Sequence, residues 1–525
     1  MIFKAWLIID RNHIVKGVAE DMNHFGNQIQ NNLSKIFTYK KVIYSFLLGC
    51  FFSLSTKGIF TPIILNGKSF VGRSEWIQIA IVVVLAMFYS IIFVFLSAII
   101  PSSFYSKLIL PIKSFRPNQF NRDQKIQFIT GMIIIGFLLS VLFHVYQGEI
   151  LKRPYPYTTF LFLPTQRFSD FTFAQSEPFL NPYFNNVYQG GQFPLAMLIY
   201  FLFTSIPLNI SLLIFLILCS TAFAYLTNII LWGKKSSILL RLNDILPLVF
   251  LTYPFLIAMD RGNLEILLFV FLLFFLFFFL RERYTLSAVF LALAIAMKGF
   301  PAVLLLIYIP KKKYLEIVMA ISIATLLTLG SLALFKGGFM ANLNFLLHGP
   351  FFSPQGSFVG QSNFVQRGVS LFTFFKIIFI ETGLLKKIDM MRFLSTYIKL
   401  AALSFIPLAA YVVFIEKILW RRVALLVFSM LLLPQISADY KLLHVYLPMF
   451  LFLLSEDHSR ADFVYLIIFG LLMIPKDYTF LPHVLSDSGT HDISISIMIN
   501  ILSIIAASVM IIISGTKEWL QRPRN

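Results

Sequence analysis

Apolar runs of roughly 15 to 23 residues recur from Lys41 to Gly515, each close to the roughly 20 residues a helix needs to cross about 30 Å of hydrocarbon. They are continuous and rich in Phe, Leu and Ile, whereas a transmembrane barrel would show short segments of alternating polarity. Helices satisfy every backbone polar group inside lipid. The pattern therefore predicts an all-α polytopic membrane protein. Composition agrees, since 58% of the 525 residues are hydrophobic and only 13% charged, more apolar surface than one soluble core can hide.

Charge has a topological meaning here. The formal net charge is +19, but the basic residues sit in short clusters between apolar runs, as positive-inside bias dictates. No nucleic-acid partner is expected. The basic and aromatic stretch Lys152 to Tyr157, a nucleic-acid hint in a soluble chain, is assigned to lipid head groups. Cys50 and Cys219 both lie inside apolar runs and support neither a disulfide framework nor a thiolate metal site. The first residues, MIFKAWLIIDRNH, hold an apolar stretch too short for a signal-peptide core, so insertion is expected to use the first internal span.

Taken in order, residues 1–41 form a net basic cytoplasmic segment, and 42–124 an accessory hairpin (about 42–65 and 77–100) followed by a basic linker. A transmembrane core follows over 125–455, then carboxy-terminal helices and a basic tail over 456–525. Core and tail spans are expected near 129–146, 208–232, 243–258, 266–280, 315–335, 395–415, 423–436, 442–455, 461–475 and 493–514. Residues 285–297 and 302–310 read as a helical hairpin with Lys298 at its apex, 193–206 as interfacial or re-entrant, and 371–391 as lying along the interface. Alternating basic flanks give about 12–14 crossings with both termini cytoplasmic. The long polar segments 147–186 and 336–370 then face the extracytoplasmic side.

The outward ends of the spans collect Asp170, Asp260, Arg261, Glu265, Lys298, Gln361, Arg367, Asp439, Lys441 and His444. Ionisable groups at membrane depth are costly, so a hydrated cavity on that face is the economical reading. Asp170 has a bland alternative as a solvated loop carboxylate, yet among Phe168, Phe171 and Phe173 partial desolvation suits it to act as a general base. Asp260 and Arg261 read as a span-end ion pair or, with Gly262 and Asn263, as a pocket wall. Lys298 lies some thirteen to fifteen residues from either basic flank, too deep to snorkel to the cytoplasmic surface. It needs an anion, from Asp260, Glu265 or a substrate phosphate. Lys441 either pairs with Asp439 or serves the same phosphate, and His444 is either a bundle residue or part of the site. No nucleotide, haem or zinc fingerprint occurs, so no metal and no cofactor is expected.

The ordered set carries a resemblance. It comprises an aspartate in the first large outer loop, Arg-Gly-Asn-Leu-Glu at 261–265, Lys-Gly-Phe-Pro at 298–301, a Gln/Ser/Asn-rich loop at 355–367, and Ser-Ala-Asp-Tyr-Lys-Leu at 437–442 with Pro448 following. Over roughly 125–455 the chain resembles the integral-membrane glycosyltransferases of the GT-C class, most closely the polyprenol-phosphate-mannose-dependent group, family eighty-seven. The resemblance implies a multispan helical bundle in the bacterial inner membrane, with long extracytoplasmic loops and a polyprenyl-phosphate sugar donor as co-substrate. It also implies a lipid or glycan acceptor and an outer-loop carboxylate as base. Carried onto this chain, the base is Asp170. Arg261, Asn263, Lys298, Gln361, Asp439 and Lys441 bind donor phosphate or substrate. Mannosyltransferase members resemble Ser-Trp-x-His-His at the late motif, where this chain has Ser437 to Lys441, so neither the histidine role nor mannose carries over. Two rivals share the features: a transporter or flippase of a lipid-linked or anionic substrate, and a lipid-linked glycan polymerase or ligase.

Overall fold

The computed structural model describes residues 120–176, 193–203, 206–233, 238, 241–348, 367–384, 388–456, 461–481 and 493–522. The segment 1–41, the expected hairpin up to residue 119, Lys234, Lys235 and Gln361 lie outside the described residues. Asn121 opens α1 (Arg122–Val145) with a reciprocal capping box to Gln124, both bonds 2.9 Å, and a π-helical turn, Tyr146–Ile150, prolongs it. Next come α2 (Ser169–Ser176), α3 (Pro194–Leu202), α4 (Leu208–Trp232), α5 (Leu242–Phe250), α6 (Tyr253–Arg261), α7 (Glu265–Leu280) and α8 (Tyr284–Met297). A 3-10 helix, Phe300–Lys311, leads into α9 (Tyr314–Leu334), α10 (Phe339–His348) and α11 (Leu371–Glu381). The remainder is α12 (Met390–Ala410), continued by a π turn over Tyr411–Ile415, α13 (Leu419–Leu432), a 3-10 segment Asp439–Val445, α14 (Tyr446–Leu454), α15 (Asp462–Met473) and α16 (Ser496–Leu520). Two-residue strands β1 (Phe480–Leu481) and β2 (Ile493–Ser494) pair antiparallel and are the strands among the described residues.

By length and composition, five of the described helices can cross a membrane: α1 with its π turn, α4, α9, α12 with its π turn, and α16. Several other expected spans are shorter. The run 243–258 is broken into α5 and α6, bent by 57° at residues 251 and 252. Pro254 explains the break, because its ring cannot continue a helix from the preceding turn. The carbonyl of Leu248, released from the helical ladder, instead accepts from the Tyr446 hydroxyl at 2.6 Å, and that hydroxyl also meets Thr252 Oγ1 at 2.5 Å. The expected span 442–455 begins as the 3-10 segment and becomes helical only at Tyr446. Residues 371–391 divide into α11 and the start of α12, joined through a hydrophobic cluster of Phe372, Leu394 and Tyr397.

The hairpin around Lys298 is asymmetric. Its first arm, α8, is α-helical; its second is a 3-10 helix of 12 residues. At about 2.0 Å per residue that arm covers roughly 24 Å, where an α-helix of equal length covers roughly 18 Å. Helix direction then sorts the polar groups into two ends. Arg281 to Arg283, Lys311 to Lys313, the Lys125–Asp462 pair (3.0 Å) and the Arg421–Glu518 pair (2.8 Å) lie at the ends of their helices remote from Glu265, Lys298, Asp439 and Ser496. Between the ends runs an aromatic and aliphatic core centred on Leu442 to Leu447, fully buried, with Phe223 and Phe269 packed on Tyr446.

Candidate functional site

A left-handed glycine builds the first wall. Gly262 closes α6 at φ +62°, and the N–H groups of Gly262 and Asn263 fold back onto the Met259 and Ala258 carbonyls. A Cβ on Gly262 would lie 2.9 Å from the Phe171 Cβ, so only glycine lets α2 approach this turn. Tyr200 of α3 holds the turn from behind, its hydroxyl accepting from the Leu264 N–H at 3.3 Å. The Phe168 N–H donates to the Asp260 carbonyl at 2.7 Å, setting the first turn of α2, and Asp170 within it, against α6.

Asp170 is therefore not a lone loop carboxylate. One oxygen pairs with Arg261, and the other accepts from Asn263 Nδ2 at 2.6 Å. The Asn263 side-chain oxygen, Oδ1, accepts from the N–H of Glu265, the first residue of α7, at 2.8 Å. That oxygen also faces Lys298 Nζ at 3.5 Å. The amide can take only one orientation, because one side offers it a carboxylate and the other two N–H donors. The anion for Lys298 is Glu265, at 2.5 Å, and the second Glu265 oxygen lies 2.6 Å from His444 Nε2. Tyr440 lies beneath the Lys298 ammonium, and Phe300 beneath that of Lys441, at 5.6 and 4.7 Å to the ring centroids. These reciprocal cation–π contacts fasten the hairpin apex to the 3-10 segment 439–445.

Three expectations need correction. Asp260 and Arg261 do not pair with each other. Asp260 meets Arg167 at 3.1 Å and the Phe162 N–H at 2.8 Å, while Arg261 turns to Asp170 on the same loop. Asp439 and Lys441 do not pair either, since two residues apart on a 3-10 segment they face different neighbours. Asp439 accepts from the Tyr253 hydroxyl and lies 3.8 Å from Arg367, while Lys441 donates to the Ile436 carbonyl at 3.1 Å. Nor does Asp439 join the Asp170 cluster. It belongs to a second one, where Arg367 binds Asp477 at 3.2 Å and the carbonyls of Phe160 and Leu161 at 2.9 and 2.7 Å. Asp477 in turn accepts from Ser494 at 2.6 Å and from Ser496. Phe162 connects the clusters, with the Arg261 and Arg367 guanidiniums 4.6 and 5.2 Å from its ring centroid.

Electrostatics and exposure divide the labour. The side chains of Arg261, Asp170 and Lys298 are 21, 17 and 16% exposed, while Glu265 and His444 are fully buried behind them. Burial pushes the Asp439 carboxyl up to about 6 against the opposing pull of Arg367, and pushes the Lys441 ammonium down to about 8. Among the described residues no group of three His, Cys, Asp or Glu side chains is placed to hold a metal ion. Sequence reasoning missed Arg167, Tyr253 and Asp477. Asp477 had a usable signal, a carboxylate just past Pro475 at the end of an apolar run. No family model, no curated protein and no solved structure matches this chain.

Proposed function

We propose that this chain is an integral-membrane glycosyltransferase that moves a sugar from a polyprenyl-phosphate-linked donor to a lipid or glycan acceptor, with inversion. The observation that carries the reading is the convergence of Asp170, Arg261, Asn263 and Lys298 at one end of the bundle, presented on a buried Glu265–His444 support. Positive-inside bias assigns the opposite, basic end to the cytoplasm, with both termini, and this end to the extracytoplasmic face of the bacterial inner membrane. The finer count of about 12–14 crossings belongs to the same reading.

Asp170 takes the proton of the acceptor hydroxyl as its oxygen attacks the anomeric carbon. The bond from that carbon to the donor phosphate breaks on the opposite side, with oxocarbenium character by analogy with inverting sugar hydrolysis. The departing phosphate gains a negative charge, so cations beside it are worth more in the transition state than in the ground state. Lys298 and Lys441 supply them. Among the described residues, Lys441 is the cation of this cluster with no carboxylate within ion-pair reach, held instead by a carbonyl and an aromatic face. One such cation favours a singly charged phosphodiester donor over the pyrophosphate-linked glycan of a polymerase or ligase. Asp439, on Arg367 and Tyr253, serves the site through the loop carbonyls that Arg367 gathers.

In vesicles supplied with a polyprenyl-phosphate sugar, Asp170→Asn is expected to lower transfer by about 100-fold or more while expression is retained. Wild-type transfer by that variant would remove Asp170 from the base role. The bent α5–α6 pair gives a transporter or flippase reading its one specific support, because broken helices mark substrate pathways. Flux across sealed vesicles with no new glycosidic bond decides for it.

A further inference from the structure

We infer that Glu265 is the positioning residue of this site, a buried carboxylate that sets where the phosphate-binding cation stands relative to the base; the inference rests on the glycosyltransferase reading. Both of its oxygens are committed, one to Lys298 at 2.5 Å and one to His444 at 2.6 Å, and its side chain is fully buried. Its own N–H is fixed by Asn263, whose amide nitrogen holds Asp170. A continuous chain of contacts therefore runs from Asp170 through Asn263 and Glu265 to Lys298, and it spans the turn between α6 and α7 and the apex after α8. No other carboxylate lies within ion-pair reach of Lys298 among the described residues. The charged and titratable groups facing this pair are Asp170, Tyr440, Lys441 and His444. One of these, Lys441, is a cation that would repel an ammonium released from Glu265. Without the carboxylate, Lys298 moves away from its neighbours and the phosphate loses a contact whose place was defined.

The experiment compares wild type, Glu265→Gln, Lys298→Gln and the double variant, purified in detergent. It measures binding of farnesyl phosphate as a short probe and, in vesicles, the donor KM and kcat of sugar transfer. Each single variant is expected to weaken probe binding and raise donor KM by about tenfold, and the double variant to be no worse than either, because contacting residues couple strongly. A residue that merely supports the fold would lower the amount of active protein and leave donor KM unchanged. Probe affinity and donor KM in Glu265→Gln equal to wild type, with Lys298→Gln still impaired, would overturn the positioning role and leave the glycosyltransferase reading intact. A wild-type protein that neither binds the probe nor transfers sugar overturns both. Losses that multiply in the double variant, with no coupling, overturn the chain of contacts alone.

Discussion

At the scale of single residues, the site works by giving each charged group a defined neighbour. Asn263 uses both ends of one amide, Glu265 both oxygens of one carboxylate, and Arg367 draws in two carboxylates and two loop carbonyls. Lys441 stands apart. Its ammonium is lowered to about 8 chiefly by burial, with Glu265 opposing and Lys298 adding to the effect. The charged form therefore prevails below that pH and is lost as pH rises through it. Affinity for a prenyl phosphate probe is expected to decline as pH passes about 8, and Lys441→Arg, whose guanidinium stays charged, to hold its affinity across that range. A wild-type affinity that stays level to pH 10 would take Lys441 out of phosphate binding. Sequence reasoning named the polar groups that converge here, Asp170, Arg261, Asn263, Glu265, Lys298 and His444, because charge in apolar surroundings is visible in one dimension. It left Glu265 as one of three candidate anions for Lys298, and it did not find the partners of Asp170 and Asp260. Asp260 and Arg261 are adjacent in sequence yet serve different partners, Arg167 and Asp170, and a choice of this kind exists only once the helix terminus is formed.

At the scale of elements, the apolar runs were legible and their interruptions were not. α4 and α9 occupy almost the stretches that hydrophobicity marks, since a long uninterrupted run has one way to satisfy its backbone in lipid. The run at 243–258 breaks because Pro254 ends the hydrogen-bond ladder, and the break persists because a tyrosine almost two hundred residues later serves the released carbonyl. A proline in the sequence shows where a helix can bend; the distant donor that makes the bend affordable does not show. Tyr446→Phe keeps the packing against Phe223 and Phe269 and removes the hydroxyl, with its bonds to the Leu248 carbonyl and to Thr252. It is expected to destabilise the protein by about 1–3 kcal/mol, the cost of an unsatisfied buried carbonyl. Thermal unfolding in detergent measures it, and an unchanged midpoint would mean that the hydroxyl does not hold the break. The 3-10 arm after Lys298 is a second case. Pattern reasoning saw two short arms and a basic flank on each, but not that the second gains its reach from a tighter coil.

At the scale of the molecule, the described helices separate a basic end from the end that carries the site. The orientation proposed from that separation has a direct check. In a background lacking Cys50 and Cys219, a cysteine replacing exposed Arg153 is expected to react with a membrane-impermeant maleimide in intact cells, and one replacing exposed Lys311 only after the membrane is opened. The reverse pattern would invert the whole arrangement and place the site on the cytoplasmic side. The site itself is drawn from distant stretches: Asp170 and Arg261 are 91 positions apart, and Glu265 and His444 are 179 apart. A chain inserted as it is synthesised thus carries Asp170 and Lys298 into the membrane well before His444 and Tyr440 exist to complete their surroundings. At about 5–20 residues per second, that interval is on the order of ten seconds. Throughout it Glu265 can hold Lys298 but has no histidine on its second oxygen, so the buried support is complete only once the late segment has arrived.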